Sequence, residues 1–140
     1  MKKVFYTMLL SVILLGCSND DEVLVSPLLG SWELMSVENE AVYDAPDNEE
    51  IVVTFEEREY TGETLVNEFG GDYEIVGNEL LLTNSYTTEK EETAWGNLFY
   101  EGLQKAYSEE EEGSEFVYTI QGNKLTLRSA EDEMILIRFE

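Results

Sequence analysis

From Leu28 onward apolar residues recur at every second position, the period of a strand with one buried face. Ser31–Val37, Ile51–Glu56, Glu59–Leu65 and Met134–Phe139 each read as one strand, the second and third joined by a hairpin at Glu57 and Arg58. Two more hairpins form an internal repeat. Tyr73, Ile75, Gly77, Asn78, Leu80 and Leu82 return at identical spacing as Tyr118, Ile120, Gly122, Asn123, Leu125 and Leu127. Gly-Asn between alternating runs predicts a two-residue turn, with the glycine supplying positive φ. That turn sets Ile75 opposite Leu80 and Tyr73 opposite Leu82 on one face. Ile120/Leu125 and Tyr118/Leu127 follow suit, with Thr119 and Thr126 paired on the outer face.

The count is eight strands. Eight short antiparallel strands suit a small up-and-down barrel, because closure removes the exposed edges an open sheet would leave. Up-and-down connectivity then sorts the connections. The tight turns at 57–58, 77–78 and 122–123 share one neat end. The loops 39–49, 66–71 and 130–132 elaborate the other.

One segment departs from period two. Trp95, Leu98, Phe99, Leu103 and Ala106 make a single helical stripe. Thr88 and Glu91 have the spacing of a capping box, and Lys105 suits a helix C-terminus. Gly96 and Gly102 each cost a helix interior about 1 kcal/mol, and Gly96-Asn97 also reads as a hairpin turn. The stripe favours a helix, inserted between strands five and six and leaving from the elaborated end. The run Glu109–Glu112 after it reads as a solvated loop.

The N-terminus changes the picture. Lys2 and Lys3, an apolar run from Val4 to Leu15, then Gly16 and Cys17 have the plan of a secretory signal. The run is too short to span a bilayer, which takes roughly 20 residues. Leu14, Leu15, Gly16 and Cys17 resemble the bacterial lipobox, which implies cleavage before Cys17 and its acylation. Residues 1–16 are thus expected to leave, 17–27 to form an acidic tether, and 28–140 to form the barrel domain. Ser18, Asn19, Asp20, Asp21 and Glu22 resemble the signal that displays Bacteroidota lipoproteins on the outer face of the outer membrane.

Charge narrows the partners. Without the two signal lysines, 6 basic side chains face 31 acidic ones, a formal charge of −25. That disfavours nucleic acid, whose phosphates need Lys and Arg, and docking of the protein surface on anionic lipid. Acyl chains must therefore supply the membrane attachment, at about 0.8 kcal/mol per buried methylene.

The chemistry on offer is sparse. The chain has no histidine, and its one cysteine is assigned to lipid. This excludes the usual nucleophile pairs with histidine and any His/Cys zinc set. Asp44, Asp47, Asn48, Glu49 and Glu50 carry oxygen ligands but lack EF-hand spacing, so they read as a solvated loop. No catalytic residue, metal or cofactor is assigned, and the chain is expected not to be an enzyme.

Leu28, Leu29, Gly30, Ser31, Trp32 and Leu34, opening the first strand after a tether, resemble the Gly-x-Trp start of lipocalins. With the repeated hairpins, the chain is similar to small lipocalin-like lipoproteins of Bacteroidota over roughly Leu28 to Phe139. The resemblance implies that Trp32 plugs the closed end behind Gly30 and that Arg138 of the last strand packs on its ring. Alternation in Met134–Phe139 leaves a second possibility, with Ile135, Ile137 and Phe139 inward and Arg138 in solvent.

Two function classes follow. In the first, the barrel mouth holds a small apolar molecule. Its site would comprise Tyr73, Leu82, Tyr118 and Leu127 on the inner face toward the elaborated end, with Trp95 and Phe99 of the helix above them. In the second, a filled barrel is a surface module whose acidic loops meet a protein or glycan.

Overall fold

The computed structural model describes residues 25–139. The expected signal peptide, Cys17 and the tether up to residue 24 lie outside them. Ten strands and one helix follow in order: β1 (Gly30–Glu38), β2 (Val42–Asp44), β3 (Val52–Phe55), β4 (Glu59–Glu63), β5 (Glu68–Val76), β6 (Glu79–Thr87), α1 (Ala94–Lys105), β7 (Tyr107–Ser108), β8 (Gly113–Gln121), β9 (Lys124–Arg128) and β10 (Glu133–Phe139). Eight of the strands close an antiparallel barrel, sealed where β10 pairs with β1. The short β2 and β7 sit outside that ring, on β1 and β8.

The repeat folds as its spacing requires. Tyr73 pairs with Leu82, Ile75 with Leu80, Tyr118 with Leu127 and Ile120 with Leu125. Gly77 and Gly122 take φ near +63° and +62°, while a Cβ at either would meet no atom within 4 Å. Conformation, not space, is what demands glycine there. Thr119 pairs with Thr126 as expected, although Thr126 is buried.

Three expectations need correction. Counting β2, which lies within the 39–49 loop, α1 lies between the sixth and seventh strands in chain order rather than the fifth and sixth. The supposed 66–71 loop is mostly strand, since β5 begins at Glu68. Gly70 and Gly71 lie in that span and sit where side chains do not fit. A Cβ on Gly70 would crowd the Tyr60 carbonyl, and one on Gly71 the Thr83 carbonyl. The register shift between Gly70 and Asp72 is a β-bulge. Third, α1 starts later than the Thr88/Glu91 box suggested. Its N-cap is Thr93, whose hydroxyl accepts from the Gly96 N–H at 3.0 Å.

The closed end is built around Trp32, which is fully buried. Its indole N–H donates to the Leu28 carbonyl at 2.7 Å. The Arg138 guanidinium lies 4.2 Å from its ring centroid and donates to the Leu29 carbonyl at 2.9 Å. The alternation in β10 is thereby resolved: Met134, Leu136 and Arg138 point inward. Gly30, with φ near +110°, lets the chain turn beneath Arg138, whose Nη1 would stand 3.0 Å from a Cβ there. Val25 and Leu28 precede β1 at this end, so the chain enters the barrel from its closed side.

Candidate functional site

The elaborated end carries α1 across the barrel mouth as a lid. At the helix start, the Glu92 carboxylate accepts from Thr64 Oγ1 and Asn67 Nδ2, both at 2.7 Å, and from the Thr93 N–H at 3.0 Å. Thr93 Oγ1 also donates to Glu49 at 2.7 Å. These bonds tie the helix to the β4–β5 turn and to the loop after β2. Burial raises the Glu92 carboxyl, but hydrogen bonds from Asn67, Thr64 and Thr93 outweigh it and hold it below its ordinary value.

The far end is fixed differently. Lys105 Nζ lies 3.3 Å from the buried Asp132 carboxylate in the β9–β10 loop. Ser114 Oγ donates to the Leu103 carbonyl at 2.7 Å. Gly102 is buried against β10, where a Cβ would overlap the ε-methyl of Met134. The glycine that weakens the helix in isolation is what lets it sit this low. Trp95 Nε1 and Asp132 Oδ2, one at each end of the lid, are buried without hydrogen-bond partners among the described residues. Each such atom left without a partner costs about 1–3 kcal/mol.

Beneath the helix, aromatic rings fill the mouth. Phe99 packs on Phe69 with centroids 4.9 Å apart, and Tyr100 stands edge-on to Phe69 at 6.0 Å. Tyr60 reaches inward, its hydroxyl 2.6 Å from that of Ser85. Burial raises the Tyr60 pKa, opposed in part by that bond. The space left between Val53, Phe55, Tyr60, Phe69, Leu82, Phe99, Leu127 and Met134 is about 10 Å³. A water needs roughly that much, and a ligand cup needs a few hundred.

The expected ligand residues therefore divide. Leu82, Phe99 and Leu127 face this common interior, and Trp95 is buried in the first turn of the lid. Tyr73 and Tyr118 do not join them. The Tyr73 hydroxyl donates to the Glu56 carbonyl, and the Tyr118 hydroxyl to the Gly77 carbonyl at 3.2 Å, both at the closed end. Each is the sixth residue of a nine-residue strand, counted from the mouth. Placing them at the mouth assumed strands that began near them; β5 and β8 begin five residues earlier, and two aromatic hydroxyls do not line an apolar site.

Phe69, Tyr60 and Glu92 were missed. Phe69 hid beside the two glycines read as a loop. Glu92 was one of 31 acids, and nothing in its neighbours marks it as the one that is hydrogen-bonded. Among the described residues no group of His, Cys, Asp and Glu is arranged to hold a metal.

Comparison with known proteins returns the same fold. The META domain family model matches residues 26–139. A lipocalin-like protein from Bacteroides uniformis shares 15% identity at a TM-score of 0.57, covering 80% of this chain and 98% of its own. A protein from Burkholderia xenovorans, also 15% identical, reaches 0.61 over 80% of this chain and 83% of its own. One from Bacteroides eggerthii, 11% identical, reaches 0.53 over 80% and 99%. No curated protein sequence matches.

Proposed function

This chain belongs to the META domain family, and on that premise we propose that it is a membrane-anchored, non-enzymatic recognition module built on a filled lipocalin-like barrel. The observation that carries this reading is the interior of about 10 Å³ beneath α1. A barrel packed to that degree presents its surface, not its lumen.

The anchor belongs to the same proposal. Acylated Cys17 attaches the chain to the outer membrane, and residues 17–27 form its tether. That tether meets the barrel at the closed end, where β1 starts. The lid, β2 and the acidic loops then point away from the bilayer, toward partners at the cell surface. An electronegative, loop-rich outer end suits protein or glycan recognition.

A carrier is the second reading, favoured by the lipocalin-like neighbour and by a lid held at its two ends by polar bonds. It requires α1 to lift before anything enters. Thermal shift with fatty acids, sterols and tetrapyrroles separates the two. No ligand is expected to raise the melting temperature of the full chain. Phe99→Ala tests the same point, because truncating a core aromatic costs about 3–5 kcal/mol. The expected result is that full loss, with no ligand binding gained. A saturable ligand shift, sensitive to Phe99→Ala at little cost in stability, would replace the recognition reading with the carrier.

A further inference from the structure

The outward end carries one feature that the barrel's closure does not explain. β2 pairs with β1 along one side only. Ala45 N–H donates to the Met35 carbonyl at 2.8 Å, and Asn39 N–H to the Ala41 carbonyl at 3.1 Å. Hydrogen-bonded pairs alternate in an antiparallel ladder, so Val37/Tyr43 is the bonded pair between those two. Val42 and Asp44 must then turn their N–H and C=O groups away from β1. Among the described residues neither has a partner for them. Val42 and Tyr43 are 61% and 42% exposed, with Met35 beside them at 40%. This is a three-residue strand with an open polar edge and two exposed apolar side chains; its shortness, the charge of Asp44 and the nearby Pro46 limit unselective edge pairing.

The surroundings are acidic. Glu38, Glu40, Asp47 and Glu50 flank the strand, Asp44 ends it, and no Lys or Arg occurs between Val25 and Glu57. Of the cations at this end, Lys105 and Arg128 are paired with Asp132 and Glu133, and Lys90 stands beside the β4–β5 turn rather than on β2. A second copy of so acidic a chain is repelled from such an edge. A basic one is drawn to it.

We infer that the outer edge of β2 is a docking site for an extended, Lys- or Arg-bearing segment of a protein partner, which adds to it as one more antiparallel or parallel strand. The inference rests on the recognition reading above and gives it a partner class. Backbone pairing at Val42 and Asp44 supplies the register, Val42 and Tyr43 supply apolar contact, and the acidic rim supplies the charge preference.

The probe is an octapeptide alternating lysine with valine and threonine, titrated into the full chain in detergent and followed by fluorescence anisotropy and amide chemical shifts. The Val42 and Asp44 amides are expected to shift. Binding should weaken at least tenfold from low to physiological salt, since exposed charges are screened beyond about 8 Å there. A strand presents alternate amides to its neighbour, so two N-methylated versions of the peptide, methylated in opposite registers, should differ: one binds as the parent and the other at least tenfold more weakly. Val42→Pro removes an outward N–H while sparing the Val37/Tyr43 bonds. It should cause a similar loss without lowering the melting temperature. Equal binding by both N-methylated peptides would overturn edge pairing even if Val42→Pro misfolds. Binding elsewhere on the elaborated end, with the Val42 and Asp44 amides unmoved, would overturn it too but leave the recognition reading standing. That reading falls by the lipophilic-ligand shift described above.

Discussion

The guanidinium of Arg138 lies 4.2 Å from the ring centroid of Trp32, 106 residues away in sequence, and closes the barrel by joining its last strand to its first. Trp32 and Arg138 are themselves register partners across the β1–β10 seam. Trp32→Ala should cost about 3–5 kcal/mol, a large part of a small domain's stability. Arg138→Met keeps the apolar stem but loses the cation and the bond to the Leu29 carbonyl, and should cost about 1–3 kcal/mol. Urea unfolding measures both. If Arg138→Met proves neutral, the seam is held by strand pairing alone.

Gly102 tests how tightly the lid sits. Alanine there gains about 1 kcal/mol of helix propensity and displaces only the terminal methyl of Met134. Gly102→Ala should therefore change stability by less than about 1 kcal/mol. Gly102→Val adds bulk that the displaced methionine does not clear, and overpacking of this kind costs about 1–3 kcal/mol. A valine variant as stable as the parent would mean that α1 rides higher over β10.

The Glu92 latch predicts a pH dependence. Its carboxyl titrates below the ordinary value of 4.5 in the folded chain, because Asn67, Thr64 and Thr93 donate to the charged form against the opposing effect of burial. A depressed folded pKa contributes stability that is fully present above the unfolded value and is lost as pH falls through the folded one. Melting temperatures of the parent should thus fall toward Glu92→Gln as pH drops below about 4.5. At pH 7 the variant should melt lower. Parallel pH profiles for the two chains would remove Glu92 from any role in holding the lid.

Cys17→Ser addresses the anchor. The variant should lose acylation and either become soluble or remain with its signal attached. Mass spectrometry of the mature protein decides it, an unmodified residue 17 in the parent being the contrary result. Replacing Asp20, Asp21 and Glu22 with alanine should reduce protease accessibility on intact cells. Unchanged shaving would refute the surface signal while leaving lipidation intact.

Local chemistry was enough to determine the eight barrel strands (though not the starts of β5 and β8), the three tight turns and the division into a neat and an elaborated end. A glycine at positive φ and a two-residue period act within ten residues, so the pairs Tyr73/Leu82 and Tyr118/Leu127 follow from local sequence alone. The position of Trp32 came from the resemblance to lipocalins. Which face of β10 is buried was open in the sequence, because Ile135 and Leu136 are equally apolar. The Trp32 ring decides it by giving Arg138 a partner. The level of Tyr73 and Tyr118 within the barrel depended on where β5 and β8 begin, and Gly70 and Gly71 look identical in a loop and in a bulge crowded by the carbonyls of Tyr60 and Thr83. Whether the barrel is hollow was least legible of all. It turns on how low α1 sits, and that is set by a missing side chain at Gly102 meeting Met134, a contact across 32 residues that no local pattern encodes.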